Sequence, residues 1–275
     1  MNSKNNNIGF TLVELIVAVA ISGVIMTGIY SAFKTQQDSY LVQEQVAEVQ
    51  QNIRASIDYM MRDLRMAGFD PTQSGNFSIT DVRSRDLDNV LDVGGNPAIT
   101  FTVDLNEDGT LDLNETISYS LYEYPVSTPA DSDGISDLSL TQGGGGRQLL
   151  GESIIAMGLA YSYVGAGGDV VTDAGGNVIW AIDSDNDNDL DRDLDTNNDG
   201  VIDIADNPLG TALATDIDIE NIVAIKIWLL AQTKARNQYF TENRTFVVAN
   251  QRITPNDNNR HRLMETTVQC RNMGL

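Results

Sequence analysis

The most restrictive feature of the sequence is an apolar run near its N-terminus. Residues 10–29 contain one ionisable side chain, Glu14. About 20 residues of helix are needed to span the hydrocarbon core of a bilayer, so this run is long enough to do so. A carboxylate inside such a run costs about 3 kcal/mol on insertion. Because an ordinary membrane anchor would not explain that cost, we expect Glu14 to have a function and a cationic partner.

The residues at the start of this run resemble a known signal. Residues 9–14 read Gly-Phe-Thr-Leu-Val-Glu and resemble the type III signal of type IV pilins and type II secretion pseudopilins. The resemblance implies that a prepilin peptidase removes the leader, residues 1–9, by cutting between Gly9 and Phe10, and then methylates Phe10. In a filament, Glu14 would neutralise the Phe10 ammonium of a neighbouring major or minor pilin and thereby set the axial register.

The helix is predicted to continue well beyond the apolar run. Apolar residues recur three and four positions apart from Phe33 to Leu64, and Gly68 supplies a C-terminal stop. We therefore predict a transmembrane or filament-core half over residues 10–29. An amphipathic half over residues 30–67 continues into a globular domain and docks on it with its apolar face.

The remainder of the chain, residues 68–275, reads as a β-rich globular domain. Strands are predicted at 98–103, 117–124, 154–164, 219–230 and 244–249. Residues from about 165 to 215 are acidic and poor in sheet pattern, which indicates a long insertion that is functional or organised by ions. The predicted fold class is α+β, with a long N-terminal helix packed on an antiparallel β-sheet domain.

Four further stretches resemble PilW-type minor pilins and their relative, type II secretion pseudopilin J. They are residues 61–71, 117–122, 147–163 and 268–272. The resemblance implies a non-enzymatic minor pilin that helps prime pilus assembly or sits at the tip. Such a protein is a single-pass inner-membrane protein, with its C-terminal domain outside the cytoplasm, before it enters the pilus at the cell surface. Pseudopilin J and a calcium-dependent pilus-borne adhesin with an unidentified surface ligand are the alternatives.

Two twelve-residue segments carry the pattern of a calcium-binding loop, with ligands at positions 1, 3, 5, 7, 9 and 12. In the first, these positions are Asp104, Asn106, Asp108, Thr110, Asp112 and Glu115. In the second, they are Asp195, Asn197, Asp199, Val201, Asp203 and Asp206. A weaker candidate is formed by Asp183, Asp185, Asp187, Asp189 and Asp191. We expect structural calcium sites, and the alternative is a set of solvated acidic loops in chance register.

Composition restricts the remaining functions. There are 39 acidic and 17 basic residues and the net charge is −22, which disfavours nucleic acid as a partner. A single cysteine, Cys270, excludes an intrachain disulfide. The sequence shows no nucleophile–base pair, so we predict no catalytic residues. His261 lies between two arginines and is expected at the surface, whereas Trp180 and Trp228 are expected in or near the core.

Overall fold

The computed structural model describes residues 11–84, 97–122 and 135–273. The chain divides into two compact units, one that ends at Val46 and one that begins at Ala47. A single helix, α1 (Leu12–Leu64), contributes residues to both units. Its N-terminal end agrees with the sequence prediction, although Phe10 lies outside the described residues.

The first unit consists, in its described part, of Thr11 and the N-terminal portion of α1, which is predominantly apolar as far as Phe33. Every side chain from residue 11 to residue 41 is exposed within the chain. The hydroxyl groups of Ser22 and Thr27 donate to backbone carbonyls four residues earlier, at 2.7 and 2.8 Å, so they do not break the apolar character of the surface. This helix is long and apolar enough to cross a membrane.

In the second unit, the last turns of α1 pack against the sheets. The buried apolar residues of this part are Val49, Ile53, Ile57, Met60 and Leu64. Their spacing of three and four residues places them on one face of the helix. The predicted docking face is therefore confirmed from Val49 onward, whereas Phe33 and Tyr40, which we assigned to the same stripe, are 57% and 68% exposed.

The first sheet is an antiparallel meander of five strands. Its strands are β1 (Ile79–Arg83), β2 (Ala98–Thr102), β3 (Thr116–Tyr122), β4 (Asp137–Gln142) and β5 (Gln148–Gly151), in that spatial order. In β3, the side chains of Ile117, Tyr119 and Leu121 are buried and alternate with half-buried polar residues, as period-two patterning requires.

The second sheet has six strands in the spatial order β13–β10–β6–β7–β8–β9. They are β6 (Ile154–Tyr163), β7 (Ala181–Ile182), β8 (Asp189–Asp193), β9 (Thr211–Asp218), β10 (Ile222–Gln232) and β13 (His261–Gln269). A hairpin of β11 (Phe246–Val248) and β12 (Gln251–Ile253) completes the domain. Alternate residues of β10 serve two cores: Ile227 and Leu229 face the main core with α1, and Trp228 and Leu230 face a second, smaller core.

The acidic segment is part of this sheet, which corrects the expectation that it lacks sheet structure. It contributes β7, β8 and the first half of β9. The sequence hides these strands because Leu190 is the only apolar residue of β8, and because most of β9 is exposed at the sheet edge. Leu194 and Ile202 from the same segment cover the second core, so the segment is packed onto the domain.

All five strands predicted from the sequence are present, with ends that differ by at most three residues; residues 123 and 124 lie outside the described chain. Trp228 is buried, as predicted.

The surface position predicted for His261 is wrong. Its side chain is buried and lies 3.6 Å from a carboxylate oxygen of Asp257. Neither ring nitrogen has a hydrogen-bond partner among the described residues. Burial lowers the pKa of His261, against the raising influence of Asp257 and Glu242. The two flanking arginines do not set the exposure of His261; its place at the start of β13, where it pairs with Gln232 of β10, does.

Candidate functional site

The first candidate calcium loop, loop 1 (residues 104–115), connects β2 to β3. Asp104, at position 1, is 1% exposed, and its Oδ2 accepts a hydrogen bond from the backbone N–H of Gly109 at 3.0 Å. Its other oxygen, Oδ1, is buried and has no hydrogen-bond partner in the described chain. Glu115, at position 12, folds back into the loop and accepts from the backbone N–H groups of Leu105 and Asp112 at 2.9 and 2.8 Å.

The second candidate, loop 2 (residues 195–206), repeats these contacts position by position. Oδ2 of Asp195 accepts from the backbone N–H of Gly200 at 2.7 Å. Asp206 accepts from the backbone N–H groups of Thr196 and Asp203, both at 2.8 Å. The shorter side chain at position 12 therefore reaches the same two loop positions as the glutamate of loop 1.

Both loops also share a backbone conformation. Positions 4 and 6 are left-handed in each: φ is +62° at Glu107 and +75° at Gly109, and +59° at Asn198 and +86° at Gly200. Glycine takes this conformation at no steric cost, and asparagine takes it more readily than other residues. The turn at position 6, whose N–H reaches the carboxylate of position 1 in both loops, is thus encoded locally by glycine.

The third candidate, loop 3 (residues 183–194), has the same turn although its sequence departs from the pattern. Asn186 and Asn188, at positions 4 and 6, have φ of +61° and +71°, and the N–H of Asn188 donates to Asp183 at 2.8 Å. Carboxylate oxygens of Asp183, Asp185 and Asp187 lie within 4.8 Å of one another. Asp191, at position 9, accepts from the N–H at position 2 and so replaces the missing carboxylate at position 12.

Burial in a field of like charges disfavours ionised carboxylates in this acidic segment. Burial raises the pKa of Asp183 to about 6, with a further contribution from Asp187. Burial likewise raises the pKa of Asp193 to about 6, against the lowering effect of a hydrogen bond from the backbone N–H of Asp195, while the charge of Asp195 contributes to the rise. A bound cation would reverse this effect by favouring the ionised form.

Hydrogen-bond donors lie between some of the candidate ligands. The amide nitrogen of Asn106 donates to Asp108 at 3.0 Å and to Asp112 at 3.1 Å. In loop 2, the amide nitrogen of Asn197 donates to Asp199 at 3.0 Å. These N–H groups carry partial positive charge, and they bond the same carboxylate oxygens that a bound cation would attract.

The donor set can hold a hard cation. It consists of carboxylate, amide and backbone oxygens, which suit Ca²⁺ and Mg²⁺ and not the softer metals that prefer sulfur or imidazole. The unpartnered buried oxygen of Asp104 supports this fit in loop 1, because a buried carboxylate oxygen without a partner is costly.

Loops 2 and 3 are each attached to a distant part of the domain. The Ser84 hydroxyl donates to the backbone oxygen of Asp183, at the start of loop 3. In loop 2, Arg252 of β12 donates through one guanidinium nitrogen to the backbone oxygens of Asp203 and Asp206, at 2.9 and 3.3 Å. These anchors are not predictable from the sequence, because they join residues between 46 and 99 positions apart and follow no local pattern.

The candidate assembly residue, Glu14, lies in the first turn of α1. Its carboxylate accepts from the backbone N–H and the hydroxyl of Thr11, at 2.9 and 2.8 Å, and the N–H of Glu14 bonds the same hydroxyl at 3.3 Å. This reciprocal arrangement is a capping box. The processing residues Gly9 and Phe10 lie outside the described residues.

Comparison with known proteins identifies the N-terminal signal. Residues 4–30 match the prokaryotic N-terminal methylation motif. The chain carries a prepilin-type signal. Residues 42–156 match the family described as prepilin peptidase-dependent protein B, so this is a pilin-like, prepilin peptidase-dependent chain. No curated protein matches it.

Among solved structures, the chain is similar to a type IV-like pilin from Thermus thermophilus. The two are 13% identical with a TM-score of 0.41, over 82% of this chain and 97% of the other.

Proposed function

We propose that the chain is a non-enzymatic minor pilin of the PilW type. It is held in the inner membrane by α1, processed by a prepilin peptidase, and then incorporated into a type IV pilus. The proposal rests on one observation: the methylation motif is joined directly to a helix that is predominantly apolar from residue 11 to residue 33, and all of these side chains are exposed within the chain. Such a surface requires lipid or neighbouring apolar helices around it.

Glu14 gives this helix its specificity in the proposed filament. Thr11 satisfies part of the carboxylate's hydrogen-bonding capacity, and a carboxylate can accept further bonds from a cation. The ammonium of a neighbour's Phe10 would supply that cation, and the pair would fix one axial register between subunits.

Calcium is the structural cofactor in this proposal. Loops 1 and 2 would hold one ion each through the oxygens of positions 1, 3, 5, 7, 9 and 12, and loop 3 would hold a further ion through Asp183, Asp185 and Asp187. Support comes from the shared left-handed turns and from the buried unpartnered oxygen of Asp104. The ions would neutralise clustered carboxylates on a domain exposed to the roughly millimolar calcium outside the cell.

Processing tests the foundation of this proposal. Gly9→Val should block cleavage and leave the precursor in the membrane, because the peptidase would meet a bulky side chain at its cut site. Gly23→Ala is the matched control, because a Cβ at Gly23 has nothing within 4 Å. Intact mass should show a wild-type product that begins at N-methylated Phe10. A mature chain that begins elsewhere would contradict the proposal.

The position of the subunit in the filament tests the proposed role at the tip or in priming. A bulky calcium-organised domain suits the tip, where it crowds no following subunit, and a priming subunit would be found there. Labelled subunits should therefore appear at fibre ends in electron micrographs. Even labelling along the fibre would exclude the tip position, and labelling confined to a secretion system would favour the pseudopilin alternative.

A further inference from the structure

The turn that follows α1 is wrapped around loop 1. The backbone N–H of Gly68 donates to the carbonyl of Thr102 at 3.0 Å, and the N–H of Asp104 donates to the carbonyl of Phe69 at 2.9 Å. Further along the turn, the amide of Asn76 donates to the backbone oxygen of Gly109 at 3.0 Å. Residues 65–76, here called the α1 turn, therefore bond to the strand before loop 1 and to its first and sixth positions.

The contact at Gly109 is tight. A Cβ atom added there would overlap the hydroxyl of Thr72, so the α1 turn lies directly against the sharpest bend of the loop. The same bend presents the N–H of Gly109 to Asp104 Oδ2. A displacement of the α1 turn would thus disturb the residue that positions the first ligand.

Asp104 links this packing to a ligand. Its side chain is 1% exposed, its Oδ2 is held by the loop, and its Oδ1 is buried with no hydrogen-bond partner in the described chain. An ion coordinated by Oδ1 would satisfy that oxygen. The backbone N–H of the same residue is the one that holds Phe69.

We propose that calcium in loop 1 clamps the end of α1 to the domain: the ion site and the α1 turn share Asp104 and Gly109, so the two would open together. This inference rests on the proposed calcium role of loop 1 and adds its consequence. Calcium would then control local opening where the helix joins the domain. Coupling of this kind is reciprocal, so that loosening the α1 turn must weaken calcium binding by the same factor.

Hydrogen exchange of the full-length chain in detergent micelles, with calcium or with a chelator, tests the clamp. If opening of the α1 turn releases the ion, exchange of the Gly68 and Gly75 amides slows by 1 + [Ca²⁺]/Kd, about 100-fold at calcium 100 times Kd. Asp104→Asn should abolish this slowing and leave the calcium response of loop 2 intact. Asp195→Asn, the matched change in loop 2, should do the reverse.

A second pair of variants tests reciprocity without changing a ligand. Asn76→Ala removes one hydrogen bond from the α1 turn to loop 1 and should lower the calcium affinity of loop 1 by about 2- to 10-fold. Asn177→Ala removes the comparable bond to the backbone oxygen of Asn198 in loop 2 and should leave loop 1 unchanged. The calcium affinity of loop 1 is obtained by measuring hydrogen exchange of the full-length chain at increasing calcium concentrations, in the proteolytic fragment that covers residues 104–115.

The outcomes separate the two proposals. Calcium protection of residues 104–115 without protection of residues 65–76 would overturn the clamp and leave the calcium site intact. An unchanged loop 1 affinity in Asn76→Ala would also overturn the clamp. Absence of any calcium protection in residues 104–115 would instead overturn the calcium role itself.

Discussion

Replacing the first ligand of each calcium loop should remove a defined share of the protein's thermal stability. An ion that binds only the folded state adds RT ln(1 + [Ca²⁺]/Kd) to the free energy of unfolding, about 2.7 kcal/mol for each loop at 100 times Kd. The unit that begins at Ala47 has about 230 residues, for which the entropy of unfolding is about 0.48 kcal/mol per kelvin. Each occupied loop should therefore raise the melting temperature by about 6 °C, and loops 1 and 2 together by about 11 °C.

The assay is thermal unfolding of the full-length chain in detergent, followed by tryptophan fluorescence. Trp228 is buried in the second core, and the carbonyl of Trp180 accepts from the N–H of Leu194 immediately before loop 2, so both report on this side of the domain. Asp104→Asn and Asp195→Asn should each lose about half of the calcium-dependent shift attributed to loops 1 and 2. Magnesium should give a much smaller shift, because it demands tighter octahedral geometry and loses water reluctantly.

The control for net charge is Asp58→Asn, an exposed carboxylate on α1 outside all three loops. It should retain the full calcium shift. Equal melting temperatures of the wild-type chain in calcium and in chelator would refute the reasoning and leave the loops as acidic turns. A full calcium shift in both loop variants would show that any stabilising ion binds elsewhere.

Three further changes have outcomes that the geometry fixes. Glu14→Val should keep or improve membrane insertion, since the charge penalty disappears, and should lower incorporation into filaments, measured by immunoblotting of sheared pili; normal incorporation would refute the pairing role. Burial lowers the folded-state pKa of His261, so the unfolded state binds more protons below pH 6.5. In chelator this group alone should lower stability on acidification by at most about 1.4 kcal/mol per pH unit, whereas Asp183 and Asp193, with pKa values raised to about 6, act in the opposite direction. Denaturant titrations should therefore show that acidification destabilises His261→Leu less than the wild-type chain by up to that amount. Arg252→Met should lower the calcium affinity of loop 2, measured by titration calorimetry, because Arg252 holds the backbone oxygen of Asp206. A rise in affinity would show instead that the positive charge of Arg252 merely repels the ion.

The predictions from sequence succeeded where neighbouring residues carry the signal. The long helix follows from its apolar run and its spacing of three and four, and it is present over Leu12–Leu64. The five strands follow from short β-branched and aromatic runs. The turns of loops 1 and 2 are also local, because glycine at position 6 and carboxylates two residues apart lie within one contiguous segment.

Other features depend on contacts between distant residues. Whether an apolar stripe on α1 is covered depends on what packs against it, so Val49 is buried while Tyr40 is exposed. His261 is buried despite its charged neighbours because β13 pairs along its length with β10. The strands of the acidic segment were missed because backbone pairing within the sheet, and not a hydrophobic pattern, builds them.

The sequence by itself determined the prepilin-type signal, the helix and the spacing of the candidate ligands, since each is a pattern within a short segment. The tertiary structure decided how those segments are held. It buried Asp104 with one oxygen unpartnered, placed the α1 turn against Gly109, and brought Arg252 to loop 2. The physical reason is that burial and anchoring are set by side chains and backbone groups that only folding brings together, from positions tens of residues apart in the chain.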